Sequence, residues 1–155
     1  MVASSFMRIL LVGGILFLLI NLYALLFSDH LIFVPQAPSY RHLPSEVKIV
    51  SGGGERINAV FLNHPAAEFT ILFSHGNAED LGNVVPFMRQ FHNLGYAVLM
   101  YDYRGYGTSE GRPAVQKAKE DIESAYRWLV DERGVDPRSI IVQGRSLGGG
   151  PSTWL

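Results

Sequence analysis

The chain has 155 residues, a formal net charge of −1 and no cysteine. That length suits one domain and little more, the balanced charge offers nothing to attract nucleic acid or another polyanion, and the missing cysteine removes disulfides, thiolate catalysis and cysteine-based metal sites. With 48% hydrophobic and 17% charged residues, the composition is that of a globular chain carrying a membrane element, not of a disordered one.

Ile9 to Phe27 is an apolar run broken only by Gly13, Gly14 and Asn21. As a helix it would span roughly 28 Å, close to the hydrocarbon thickness of a bilayer, about 30 Å. Arg8 precedes the run, and Asp29 and His30 follow it. The positive-inside tendency then expects a single-pass anchor over residues 1–28 with a cytoplasmic N-terminus. A cleaved signal peptide is the rival, but it needs a shorter apolar region ending in a small-x-small site, which Tyr23 to Ser28 fits poorly. Residues 29–44, with Pro35, Pro38 and Pro44, read as an extended linker.

A domain over residues 45–155 follows. Glu46–Val50 and Ile57–Leu62 are β-rich runs separated by a Ser-Gly-Gly-Gly turn, the pattern of an antiparallel hairpin. Phe69–Phe73, Ala97–Tyr101 and Ser139–Gln143 are short apolar runs suited to strands buried on both faces. Between them, Asn83–Asn93 and Pro113–Arg133 read as helices; the second carries Val115, Ala118, Ile122, Ala125 and Leu129 on one stripe. Alternating strands and helices predict an α/β fold, with a mostly parallel sheet and flanking helices.

The third buried strand leads into Gly144-Arg145-Ser146-Leu147-Gly148, a G-x-S-x-G match at a strand-to-helix turn. Such a turn strains the serine backbone and lifts its hydroxyl above the sheet, so Ser146 is the candidate nucleophile. Side chains at Gly144 or Gly148 would collide with neighbouring backbone. The Leu147 amide is one candidate donor to an oxyanion. The loop after the first buried strand, Ser74-His75-Gly76-Asn77-Ala78-Glu79-Asp80, should supply the other. There Gly76 lets the backbone turn its amides inward, and the Asn77 amide is the candidate. His75 reads as a structural residue holding this loop, because in such a site the acid and histidine follow the serine along the chain. Arg145 either steers an anionic substrate group or pairs with a nearby carboxylate. His30, His42, His64 and His92 lack metal-ligand spacing and read as surface residues.

These segments, together with Tyr101-Asp102-Tyr103-Arg104-Gly105-Tyr106-Gly107-Thr108-Ser109-Glu110-Gly111, resemble the α/β-hydrolase superfamily. More narrowly, they resemble its membrane-anchored α/β-hydrolase-domain branch, related to serine aminopeptidases and acyl-protein thioesterases. The resemblance covers roughly residues 45 to 153 and implies the N-terminal half of the fold, preceded by one transmembrane helix. It implies that Asp102, Arg104 and Gly105 form a structural loop beside the site. It also implies that three further strands, with the triad acid and histidine, follow the nucleophile. This sequence stops at Leu155, so the expectation is a truncated domain whose Ser146 lacks a base.

The expected activity is that of a serine hydrolase working on an acyl ester, thioester or amide, with a small molecule or acyl-protein as substrate, inactive as this chain. No metal or organic cofactor and no nucleic acid is implied. A non-catalytic remnant and a membrane-tethered binding module are the alternatives. Nucleotide binding is disfavoured, because no G-x-G-x-x-G follows a strand and there is no Walker lysine.

Overall fold

The computed structural model describes residues 2–155, which form two compact units divided between Ile32 and Phe33. The first is a single helix, α1 (Val2–Ile32). Its stretch Met7–Ile32 is long and apolar enough to cross a membrane by length and composition, with 26 residues, or about 39 Å of helix. The polar Asn21 is accommodated inside the apolar run because its side-chain amide donates to the Phe17 carbonyl at 2.8 Å.

The second unit is built on one five-stranded sheet: β1 (Glu46–Val50), β2 (Arg56–Leu62), β3 (Thr70–Ser74), β4 (Ala97–Tyr101) and β5 (Ile140–Gly144). The spatial order is β1-β2-β4-β3-β5. β1 and β2 form the expected hairpin, pairing Ile49 with Ile57. β2 also runs antiparallel to β4, whereas β3 pairs in parallel with β4 on one side and β5 on the other. The expected α/β sheet is an open mixed one: β3, β4 and β5 are parallel, and β2 docks antiparallel on β4 as well as closing the hairpin. β5 is paired on one side only, and Ile141 on it is exposed.

β3 and β4 are buried along their whole length, which is why their sequences are continuous apolar runs. Each sheet face carries its own core. Ile57, Leu72 and Leu99 pack with Ala118, Ile122 and Ala125 of α3 (Val115–Arg127). Val60, Phe73 and Met100 pack with Val84, Val85 and Met88 of α2 (Leu81–Asn93). Each fully buried Val, Leu, Ile, Phe or Met side chain contributes about 1.5–3 kcal/mol.

The helix ends differ from the periodicity for local reasons. α2 starts at Leu81 because Asp80 caps it: its carboxylate accepts the Asn83 amide, and the Asn83 side chain accepts the Asp80 amide. Pro113 lies outside α3, since Ala114 is still extended. The α-helix stops at Arg127 and widens into a π turn over Trp128–Glu132, ended by Gly134 at φ +67°. Pro151 does not interrupt the last helix, α4 (Gly149–Trp154). It is the third residue, where a backbone N–H has no partner within the helix in any case.

Residues 33–44 take an irregular path with Phe33 and Tyr40 buried in the second unit.

Candidate active site

β3, β4 and β5 all end on the same side of the sheet, and the residues singled out in the sequence leave from those ends. Ser74 lies opposite Tyr101 on one side and opposite Gly144 on the other. The loop after β3, the loop after β4 and the turn after β5 are thereby neighbours.

The turn after β5 has the strained geometry expected of a nucleophile elbow. Ser146 has φ +52°, a left-handed conformation that costs a non-glycine residue of order 1–3 kcal/mol. It opens a single 3-10 turn (Ser146–Gly148) leading into α4. The turn is pressed into the sheet. A Cβ at Gly144 would lie 2.2 Å from the Gly148 carbonyl oxygen, and one at Gly148 would lie 2.1 Å from that of Ser74. Both glycines are thus required by close backbone approach. The Arg145 amide donates to the Ser74 carbonyl at 3.0 Å, stitching the turn to β3. Ser146 itself is exposed, and its hydroxyl makes no hydrogen bond among the described residues.

The loop after β3 is held from both ends. The Asn77 side-chain oxygen accepts the Val34 amide at 2.9 Å and the Tyr106 hydroxyl at 2.6 Å. Asp80 accepts the Ser39 amide at 2.6 Å and its hydroxyl as well. Gly76 donates to Glu79 Oε2 at 2.8 Å, and a Cβ on Gly76 would lie 3.7 Å from the Arg145 carbonyl oxygen. This places the loop that carries Asn77 directly alongside the turn that carries Ser146 and Leu147. Arg145 pairs with Glu79, the carboxylate-pairing alternative of its two readings.

His75 is fully buried between Tyr103 and Tyr106, with ring centroids 4.5 and 5.4 Å away. Its Nδ1 lies 2.7 Å from the Gly76 carbonyl oxygen. Its Nε2 lies 3.3 Å from Asp102 Oδ1 without hydrogen-bond alignment. No hydrogen bond joins it to Ser146.

Asp102 and Arg104 bind the scaffold. Asp102 accepts the Leu81 amide at 2.9 Å and the Tyr40 hydroxyl. Burial, followed by the charge of Asp102, pushes the Tyr40 phenol far above its usual range, so it stays a donor. The Arg104 side chain is buried and donates to Asp121 at 2.7 Å, Glu120 at 2.7 Å, Glu55 at 3.2 Å and the Lys117 carbonyl at 2.9 Å. Burial raises the Asp121 carboxyl above its ordinary value even though Arg104 and Ser51 pull it down.

His30 and His42 are exposed, but His64 and His92 are half-buried with their rings 5.4 Å apart. Among the described residues no group of three or more His, Asp or Glu is placed to hold a metal ion. A cleft of about 310 Å³ lined by Asn63, His64, Thr70, Arg133 and Ser139 opens at the starts of the parallel strands, the end opposite Ser146.

A family profile described as serine aminopeptidase, S33, matches residues 65–154. The chain belongs to that family of α/β-hydrolases. It is 40% identical over 104 residues to human α/β-hydrolase domain-containing protein 17B, covering 66% of this chain and 36% of that one. It is 46% identical over 93 residues to the Caenorhabditis elegans α/β-hydrolase domain-containing protein aho-3, covering 59% and 28% respectively. Among solved structures, the Pyrococcus furiosus esterase Pf2001 matches with a TM-score of 0.65 at 21% identity, covering 76% of this chain and 50% of that one. A serine hydrolase homologue from Coxiella burnetii matches with a TM-score of 0.62 at 20% identity, over 75% and 58%. The two structures establish the fold. The chain spans about a third of the length of these curated relatives.

Proposed function

We propose that this chain carries the nucleophile side of a membrane-tethered serine hydrolase. The substrate is an acyl ester, thioester or amide, either a small molecule or an acylated protein. Ser146 Oγ attacks the acyl carbonyl carbon, and the amides of Leu147 and Asn77 receive the oxyanion that develops; its collapse breaks the bond to the alcohol, thiol or amine, which leaves with the proton given up by Ser146, and the acyl-enzyme remains. α1 is the tether. The observation that carries this reading is Ser146 at φ +52° on a glycine-packed strand-to-helix turn, with the Asn77 loop beside it. Such strain persists only where the surrounding structure imposes it, and it aims the hydroxyl out of the sheet.

Attack also needs a base to take the Ser146 proton. The described residues place no histidine or carboxylate in hydrogen-bond contact with that hydroxyl. We therefore propose slow acylation and no efficient turnover by these residues alone. The test is an activated acyl ester, p-nitrophenyl octanoate, incubated with the full chain and followed by peptide mass spectrometry. The expected result is one octanoyl group on the peptide containing Ser146, absent in Ser146→Ala. An unmodified Ser146 would support instead a binding module built on the hydrolase fold.

A further inference from the structure

The mechanism just proposed uses two loops whose separation decides whether both amides reach one oxyanion. One side chain spans the gap. Glu79 lies at the end of the β3 loop, and its Oε2 accepts the Gly76 amide at 2.8 Å, one residue before Asn77. The same oxygen accepts Arg145 Nε at 3.1 Å, and Oε1 accepts Arg145 Nη2. Arg145 immediately precedes Ser146 and stands two residues before Leu147. Its guanidinium is itself fixed over the rings of Phe73 and Phe87, 6.0 and 5.8 Å from their centroids. These rings belong to β3 and α2.

We propose that Glu79 is a positioning residue, a latch that sets the spacing between the Asn77 amide and the Ser146–Leu147 turn. This rests on the acyl-enzyme reading above. The arrangement differs from an ordinary surface ion pair in two respects. Glu79 is bonded to backbone as well as to charge, and it joins its own loop to Arg145, 66 positions along the chain. As an ion pair alone it would add little, since both side chains are partly exposed, 43% for Arg145 and 31% for Glu79. As a spacer it matters more, because a misplacement of about 1 Å at a reacting centre costs up to a hundredfold in rate.

The experiment uses the full chain in its membrane and measures the rate at which a fluorophosphonate probe labels Ser146. Glu79→Ala should slow labelling about tenfold or more while leaving the thermal midpoint close to that of the unsubstituted chain. Glu79→Gln keeps an oxygen for the Gly76 amide and should recover part of the rate. Arg145→Ala removes one arm only and should slow labelling less than Glu79→Ala. Hydrogen exchange provides a readout that does not depend on chemistry: in Glu79→Ala, peptides covering 74–80 and 144–149 should both exchange faster. Wild-type labelling in Glu79→Ala with unchanged exchange in 144–149 overturns the latch. If the unsubstituted chain does not label, the acyl-enzyme reading fails, and exchange alone then decides whether Glu79 couples the two loops.

Discussion

Two loops at the same end of the sheet are built in opposite ways. The loop after β4 is buried and saturated with side-chain bonds: Asp102 holds Tyr40 and Leu81, and Arg104 holds Asp121, Glu120 and Glu55. The turn after β5 exposes Ser146, leaves its hydroxyl unbonded among the described residues, and keeps it in a conformation that costs energy. What secures that turn is backbone packing of Gly148 on Ser74, together with the Glu79–Arg145 pair. The first loop ties the scaffold together; the second holds one exposed hydroxyl in a strained, left-handed conformation. Changes in the first should cost stability; in the second, changes at the glycines should cost both stability and labelling, and changes at Ser146 should cost labelling with little or even favourable effect on stability.

The largest effect is expected at Arg104. Arg104→Met leaves Asp121 buried without its main partner and should destabilise by about 3–5 kcal/mol, read as a fall in the denaturant midpoint. The pH dependence has a definite sign. The Asp121 carboxyl already titrates above its ordinary value, and losing Arg104 raises it further. An acid raised in the folded state favours folding when protonated, and that contribution is lost as pH rises through the raised value. The deficit of Arg104→Met should therefore shrink as pH falls from 8 towards about 4. A deficit that widens on acidification would remove Asp121 from the explanation.

A smaller loss is expected at Gly148. The methyl group of Gly148→Ala would sit 2.1 Å from the Ser74 carbonyl oxygen, and relief by backbone movement should cost about 1–3 kcal/mol. Here both readouts move together: the midpoint falls and Ser146 labelling disappears. Normal labelling in this variant would show that the turn tolerates displacement and that its close packing is not what aims the serine.

The smallest effect is also the most diagnostic, because its sign is reversed. Ser146→Gly relieves the left-handed strain and should stabilise the domain by about 1 kcal/mol. Ser146→Ala keeps the strain and should leave the midpoint unchanged, while both variants lose labelling. Equal midpoints for Gly and Ala would mean that the turn stores no strain.

The same contrast governs what the sequence disclosed. The strained turn at Ser146 was legible because its constraints are local: a strand, a sharp turn and a helix in consecutive residues, with glycines where backbone meets backbone. β3 and β4 were legible because burial on both faces leaves a continuous apolar run. The support around Asp102 and Arg104 was visible only as motif residues, not as a network. Tyr40, Asp102 and Asn58 meet across 62 and 18 positions, and Ser51 meets Asp121 across 70. Pairings of that length follow from the strand order, which no periodicity encodes. For the same reason the prolines of residues 33–44 indicated extended backbone without revealing that Phe33 and Tyr40 would be buried or that Val34 would bond to Asn77. Glu79 carried no signal of its own; its role depends on Arg145 arriving beside it from β5.

Ser146, as proposed, differs from an ordinary exposed hydroxyl in being aimed at carbonyl and phosphonyl groups beside the Leu147 and Asn77 amides. A fluorophosphonate probe applied to native membranes, with the labelled protein resolved by size and Ser146→Ala alongside, tests this most directly. The expected result is a labelled band in the unsubstituted protein that vanishes in Ser146→Ala. An unlabelled protein, shown to be present in the same membranes, would contradict it.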